Sequence, residues 1–203
     1  MGNRFFFIGN HLCLDFVNTQ IVRDGQTVDL LGGIDDLISW LVEAEVLDEA
    51  KEQMLRNKWG SGREAEKIFG SALELRAILR RMVEKLAQGR PSPQSAIAAI
   101  NGLLCQQAGY AELRRVKGGY EKRLHLSLNK PVHLLIPVAE SACDLLCYGN
   151  LSLIKKCENS ACILFFYDTT KNHSRRWCSM EACGNRMKVA AHYHRLRGRT
   201  PPK

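Results

Sequence analysis

Four cysteines near the end of this 203-residue chain constrain it most: Cys157-x4-Cys162, fifteen residues, then Cys178-x4-Cys183. A segment as short as 151–203 cannot bury enough apolar surface to fold without a staple. Two close cysteine pairs joined by a short loop are what a tetrahedral Zn2+ site takes, with four thiolates at about 2.3 Å. The competing readings are four buried free thiols or a labile redox site. Phe5 to Ile8 is too short for a secretory h-region and is followed by Asn10, His11 and Asp15, and Phe6 stands where acylation of Gly2 would want Ser or Thr. The expected compartment is therefore the reducing cytoplasm, where disulfides are disfavoured. The expectation is one structural Zn2+ per chain on Cys157, Cys162, Cys178 and Cys183.

Charge divides the chain at the same place. Residues 1–150 hold 18 Lys+Arg against 18 Asp+Glu, and residues 151–203 hold 11 against 3. The whole formal charge of +8 thus lies in the last quarter, as in a polyanion binder. Two units are expected: a body over 1–150 and a basic module over 151–203. With 45% apolar and 25% charged residues the chain is globular. No apolar run approaches the ~20 residues of a membrane span, so no membrane partner is expected.

The body reads as mainly α. A short helix is expected over 11–19, turns at Gly25 and Gly32-Gly33, and helices over 34–44 and 48–58. A long helix is expected from Ser61, with Glu64 completing a capping box; Ile68, Leu75, Ile78, Leu79, Met82 and Leu86 recur along one face. Gly89 and Pro91 end it, and Ser92 caps a helix running to about Gln107. Residues 113–116 and 123–128 suggest a hairpin around Gly118-Gly119. Pro131 opens an apolar helix that stops at Gly149-Asn150. In the module, Ile163 to Tyr167 suggests a strand and Ser179 opens a helix, which puts Cys183 where N-terminal amides favour a thiolate. The expected fold class is mainly α (α+β), a helical domain with a small hairpin followed by a small metal module of hairpin and helix.

The run Arg175-Arg176-Trp177-Cys178-Ser179-Met180-Glu181-Ala182-Cys183-Gly184-Asn185-Arg186-Met187-Lys188 closely resembles the CGNR zinc finger. Cys157, Cys162, Phe165 and Asp168 fit the same pattern over roughly 153–197. Leu14-Asp15-Phe16-Val17-Asn18-Thr19 and Asp36-Leu37-Ile38-Ser39-Trp40-Leu41 resemble, more loosely over 5–145, the ABATE domain that accompanies this finger in bacterial proteins. The resemblance implies a stress-induced transcription regulator.

On a helix over 183–199, Cys183, Met187, Ala190 and His194 share the side expected to face the metal. Lys188, His192, Arg195 and Arg199 form a second stripe, and Arg186, Tyr193 and Arg197 a third. Such a helix can lie on duplex DNA, with Arg175, Arg176, Arg186, Lys188 and Arg195 as expected phosphate contacts. Four thiolates and one Zn2+ leave −2, which uses two of the module's eight excess cations, and the three arginines nearest the thiolates could be among those used there. His11, Asp15 and Asn18 align at i, i+4 and i+7, either as a polar network or as the wall of a pocket for a small-molecule effector. Cys143 and Cys147, Cys13 and Cys105, and Trp40 and Trp177 are expected in the core. His173 and His194 are redundant beside four cysteines.

A closed four-cysteine shell leaves no open position for water, and the chain has no Walker loop, nucleophile elbow or dinucleotide fingerprint. An enzyme is not expected. The expected function is DNA binding through the finger with a sensing body. The alternative is a zinc-stapled protein-interaction adaptor. By analogy with other regulators a homodimer would let two basic helices read a palindrome.

Overall fold

The computed structural model of the chain describes residues 4–106 and 109–196, without the side chains of 123–126 and 194–196. Helix α1 (Leu12–Val17) leads into an antiparallel hairpin of β1 (Gln20–Arg23) and β2 (Gln26–Asp29). The turn is Asp24-Gly25, both at positive φ (52° and 79°), the twist that a two-residue hairpin loop requires. Only a turn is expected there from the sequence.

Helices α2 (Ile34–Glu43) and α3 (Glu49–Trp59) follow, the second capped by Asp48, which accepts from the Lys51 N–H. Helix α4 (Arg63–Leu86) is the longest. It begins two residues later than expected because Gly62, at φ +86°, is its N-cap and leaves Ser61 outside the first turn. Helix α5 (Gln94–Leu104) is likewise preceded by Pro93 at the N-cap rather than by Ser92. Strands β3 (Gly109–Val116) and β4 (Gly119–Leu126) form a ribbon longer than expected, closed by Lys117-Gly118, since Val116 pairs with Gly119. Pro131 opens a 3-10 turn, and α6 (Ile136–Tyr148) continues from it.

The apolar face of α4 packs on α1, α2 and α5, while α6 packs on α1 and α5. Ile68, Ala72, Leu75, Leu79, Met82 and Leu86 are buried along that stripe, the large ones each contributing about 1.5–3 kcal/mol. Trp40 is fully buried and packs on Phe16 with ring centroids 5.2 Å apart. Arg76, also buried, grips both carboxylate oxygens of Asp29 and the Thr19 hydroxyl, tying the first hairpin to α4.

The module comprises a 3-10 turn (Leu151–Leu153), β5 (Ile154–Lys156) paired antiparallel with β6 (Phe165–Tyr167), a π-helical turn (Met180–Gly184) and α7 (Asn185–Leu196). It shares the body's core. One continuous buried cluster runs from Phe5 and Phe16 through Leu164, Phe165 and Phe166 to the four cysteines. The division at residue 150 is one of charge, not of hydrophobic cores.

Candidate metal centre and its seam with the body

The β5–β6 hairpin places Cys157 and Cys162 in its connection, and the segment after it brings Cys178 and Cys183 alongside. All four residues are buried, and their Sγ atoms lie within 4.8 Å of one another. Cys162 and Cys178 Sγ are 3.8 Å apart. Tetrahedral Zn–S bonds of about 2.3 Å put neighbouring sulfurs about 3.8 Å apart, so the residues fit the ion. Two donors already face the sulfurs: the Cys178 N–H points at Cys157 Sγ (3.4 Å) and Asn159 Nδ2 at Cys183 Sγ (3.3 Å). Ser179 caps the π-helical turn by accepting from the Ala182 N–H at 3.0 Å. That turn carries Cys183, and it interrupts the α-helical phase assumed across 183–199.

The titration of the thiols suits a cation. Hydrogen bonds from Cys162 and Cys178 favour a Cys157 thiolate and lower its pKa, while donating to Cys157 raises the pKa of Cys162 and of Cys178. One thiol ionises at its neighbours' expense; a divalent ion lets all four ionise.

A band of hydrogen bonds joins this centre to the body. Strand β6 has β5 on one edge and, on the other, the side chain of Asn18. Its Nδ2 donates to the Phe165 carbonyl (2.8 Å) and its Oδ1 accepts from the Phe165 N–H (2.9 Å). The Tyr167 N–H donates to the Gly9 carbonyl (2.9 Å), and Asn10 Nδ2 to the Tyr167 carbonyl (2.8 Å). A Cβ on Gly9 would stand 2.7 Å from Leu14 Cβ and 2.9 Å from Asp15 Oδ1, so only glycine fits this close approach. Arg80 on α4 donates to the carbonyls of Val17 (2.7 Å) and Ile163 (3.1 Å). Asp168, fully buried, accepts from Lys155 Nζ (2.7 Å), the Thr170 N–H and hydroxyl, and the Arg175 N–H. Burial opposes its ionisation, but these donors outweigh burial and hold the carboxyl well below the usual range.

The expected DNA contacts separate. Arg175 is turned inward: of the two roles expected for it, it is placed for the one beside the thiolates and not for a phosphate contact. Its guanidinium donates to the carbonyls of Ile8 (3.0 Å), Trp177 (3.1 Å) and Cys178, and lies 4.1 Å over the Phe166 ring. It serves as one of the cations balancing the thiolates. Arg176 is exposed, paired with Glu158 at 2.6 Å and lying over Trp177. Arg186 is exposed and donates to the Ala182 carbonyl at 2.8 Å. Lys188 is exposed. Arg195 belongs to α7, its side chain outside the described residues, as is that of His194. Ala190, expected to face the metal, is exposed: after the π-helical turn α7 leaves the core.

His11, Asp15 and Asn18 do not converge on a pocket. The Asn18 amide is taken by Phe165, and Asp15 Oδ1 accepts from the Gly9 N–H at 2.7 Å. Only His11 of the three lines the open cavity of about 1270 Å3 beside α1, with Glu140, Ser141 and Asp144 of α6 among its other walls. Cys105 and Cys147, expected in the core, are exposed at the C-cap of α5 and in the last turn of α6. His173 is exposed and lies outside the cluster. Two functional residues, Asn159 and Arg80, are missing from the sequence expectations. Of these only Asn159 carries a local signal, an Asx turn to Ala161 between two cysteines.

Residues 10–149 match the ABATE family, described as "putative stress-induced transcription regulator", and residues 154–196 match the CGNR zinc finger. The chain belongs to the ABATE family. Its four clustered cysteines form the finger's site for one structural Zn2+. No match to a curated protein was found for the chain. Among the described residues, no helix of this ABATE protein is long and apolar enough to cross a membrane.

Proposed function

We propose that this ABATE protein is a DNA-binding transcription regulator whose CGNR finger contacts duplex phosphates, with zinc structural and no catalytic role. The observation that carries the reading is the confinement of the formal charge of +8 to residues 151–203. Exposed Arg176, Arg186 and Lys188 support it. Arg175 is withdrawn from the contact set, which leaves those three and Arg195. Four neutralised phosphates give the finger a slope of log K against log salt of about −3.6. Replacing Lys188 and Arg195 together by Ala should leave zinc content unchanged and flatten the slope by about 2. A zinc-replete chain with no salt-sensitive DNA binding at low ionic strength would instead support the adaptor reading. Val189 and Tyr193 favour that second reading, standing 54% and 58% exposed on α7. The place for an effector is the cavity beside His11.

A further inference from the structure

The neutral charge of the body is an average over two unlike parts. Within 109–126 the β3–β4 ribbon carries Arg114, Arg115, Lys117, Lys122 and Arg123 against Glu112 and Glu121. The rest of residues 1–150 then holds 13 Lys+Arg against 16 Asp+Glu. A cationic ribbon thus stands on an acidic body.

The described side chains of the ribbon are exposed. Every residue from Gly109 to Lys122 is exposed, including Tyr110 (64%), Leu113 (73%) and Tyr120 (66%). A two-stranded ribbon without a covering layer is marginal in water, so one this exposed calls for a partner. The register sorts its charges. On one face Glu112 stands opposite Arg123, and Arg114 opposite Glu121. The other face pairs Ala111 with Leu124, Leu113 with Lys122 and Arg115 with Tyr120, with no acid among them. Lys122 lines the cavity together with Glu140, and its charge favours that carboxylate. Arg115 lies over the Tyr120 ring, and Lys117 occupies the apex turn beside Gly118 at φ +97°.

We propose that this ribbon is a second DNA-contacting arm, with Arg115 and Lys117 meeting phosphates at a groove and Tyr120 packing beside them. Eight residues at about 3.4 Å give an arm of about 27 Å. The B-form major groove, about 12 Å wide, admits a two-stranded ribbon, whereas the deep, narrow groove of A-form RNA does not. Charge complementarity selects DNA, a dense polyanion, over a second copy of this chain, whose formal charge is +8.

The inference rests on the DNA-binding reading, and its test separates the two. The probe is a mixed-sequence 30-base-pair duplex titrated with the full zinc-loaded chain across a salt series. Arg115→Ala with Lys117→Ala should flatten the slope of log K against log salt by about 2, leaving zinc content unchanged. Arg115→Lys with Lys117→Arg should restore the slope. Arg63→Ala with Lys67→Ala, exposed charges at the start of α4, should leave it as in the wild type. A wild type that binds DNA with a slope unmoved by the ribbon variant overturns the arm and leaves the finger's role standing. A wild type that does not bind DNA overturns both. A dimeric wild type made monomeric by the ribbon variant shows the face to be a contact between copies, which also overturns the arm.

Discussion

Arginine in a basic segment ordinarily counts as surface charge, yet Arg175 spends its donors on three carbonyls and its face on Phe166. Asp15 feels that cation from the other side of the seam. Burial pushes the Asp15 carboxyl up to about 6, against the Gly9 and Ile8 N–H groups and the charge of Arg175, which pull it down. A raised acid means that the folded chain holds a proton the unfolded chain has released. This group's contribution therefore falls as pH rises from about 4 to 6. Asp15→Asn removes that titration and keeps an oxygen for Gly9. Its stability relative to wild type should rise by about 1 kcal/mol between pH 5 and pH 7, about one pKa unit of the window. Denaturant unfolding at the two pH values measures it, and a constant difference would show that the carboxyl titrates normally.

Among the elements, β6 depends most on a residue far from it. Asn18→Ala strips partners from the N–H and carbonyl of Phe165, both buried in the seam. At about 1–2 kcal/mol for each orphaned group, a loss of about 2–4 kcal/mol is expected in urea unfolding of the zinc-loaded chain. Asn18→Asp keeps an acceptor and loses the donor to the carbonyl, and should also be destabilising.

The same pair marks where legibility ends. The helices could be read because Ile68, Leu75, Leu79 and Met82 repeat at helical spacing, and the zinc site because its four ligands form two local pairs. The first hairpin was within reach too: Asp24-Gly25 between Gln-Ile-Val-Arg and Gln-Thr-Val-Asp is a two-residue turn signal, weakened by strands only four residues long. Asn18 could be seen as a polar residue on an apolar helix, but nothing local points it at Phe165. The π-helical turn likewise leaves no period, so extending α-helical phase through it placed Ala190 wrongly.

For the whole molecule, a shared core means that metal stabilises more than the module it sits in. Composition suggests that removing zinc would melt residues 151–203 and leave the body as it was. The buried continuity from Phe16 to Phe165 and Phe166 leads to a different expectation. Chelation, or Cys178→Ser, should lower the melting temperature of the remaining helical transition by about 5–10 °C, as a loss of a few kcal/mol does in a chain of this size. Circular dichroism at the helical minimum, with zinc measured in the same samples, provides the check. A body transition that stays in place when zinc leaves would mean the two cores are independent.

The seam also dictates an order of events. Asn18 closes on Phe165 across 147 residues, and Arg175 on Ile8 across 167. Loops of that length cost little more entropy than loops half as long, since each doubling adds only about 0.6 kcal/mol, but they cannot close before their far end exists. During synthesis α1 through α6 can assemble while the Gly9 carbonyl and the Asn18 amide wait for β6. Strand β6 arrives with the last fifth of the chain, and the sulfurs from Cys178 onward later still. The segment from Ile8 to Asn18 is therefore among the last to be completed, and delivery of a metal ion marks the end of folding on both sides of the seam.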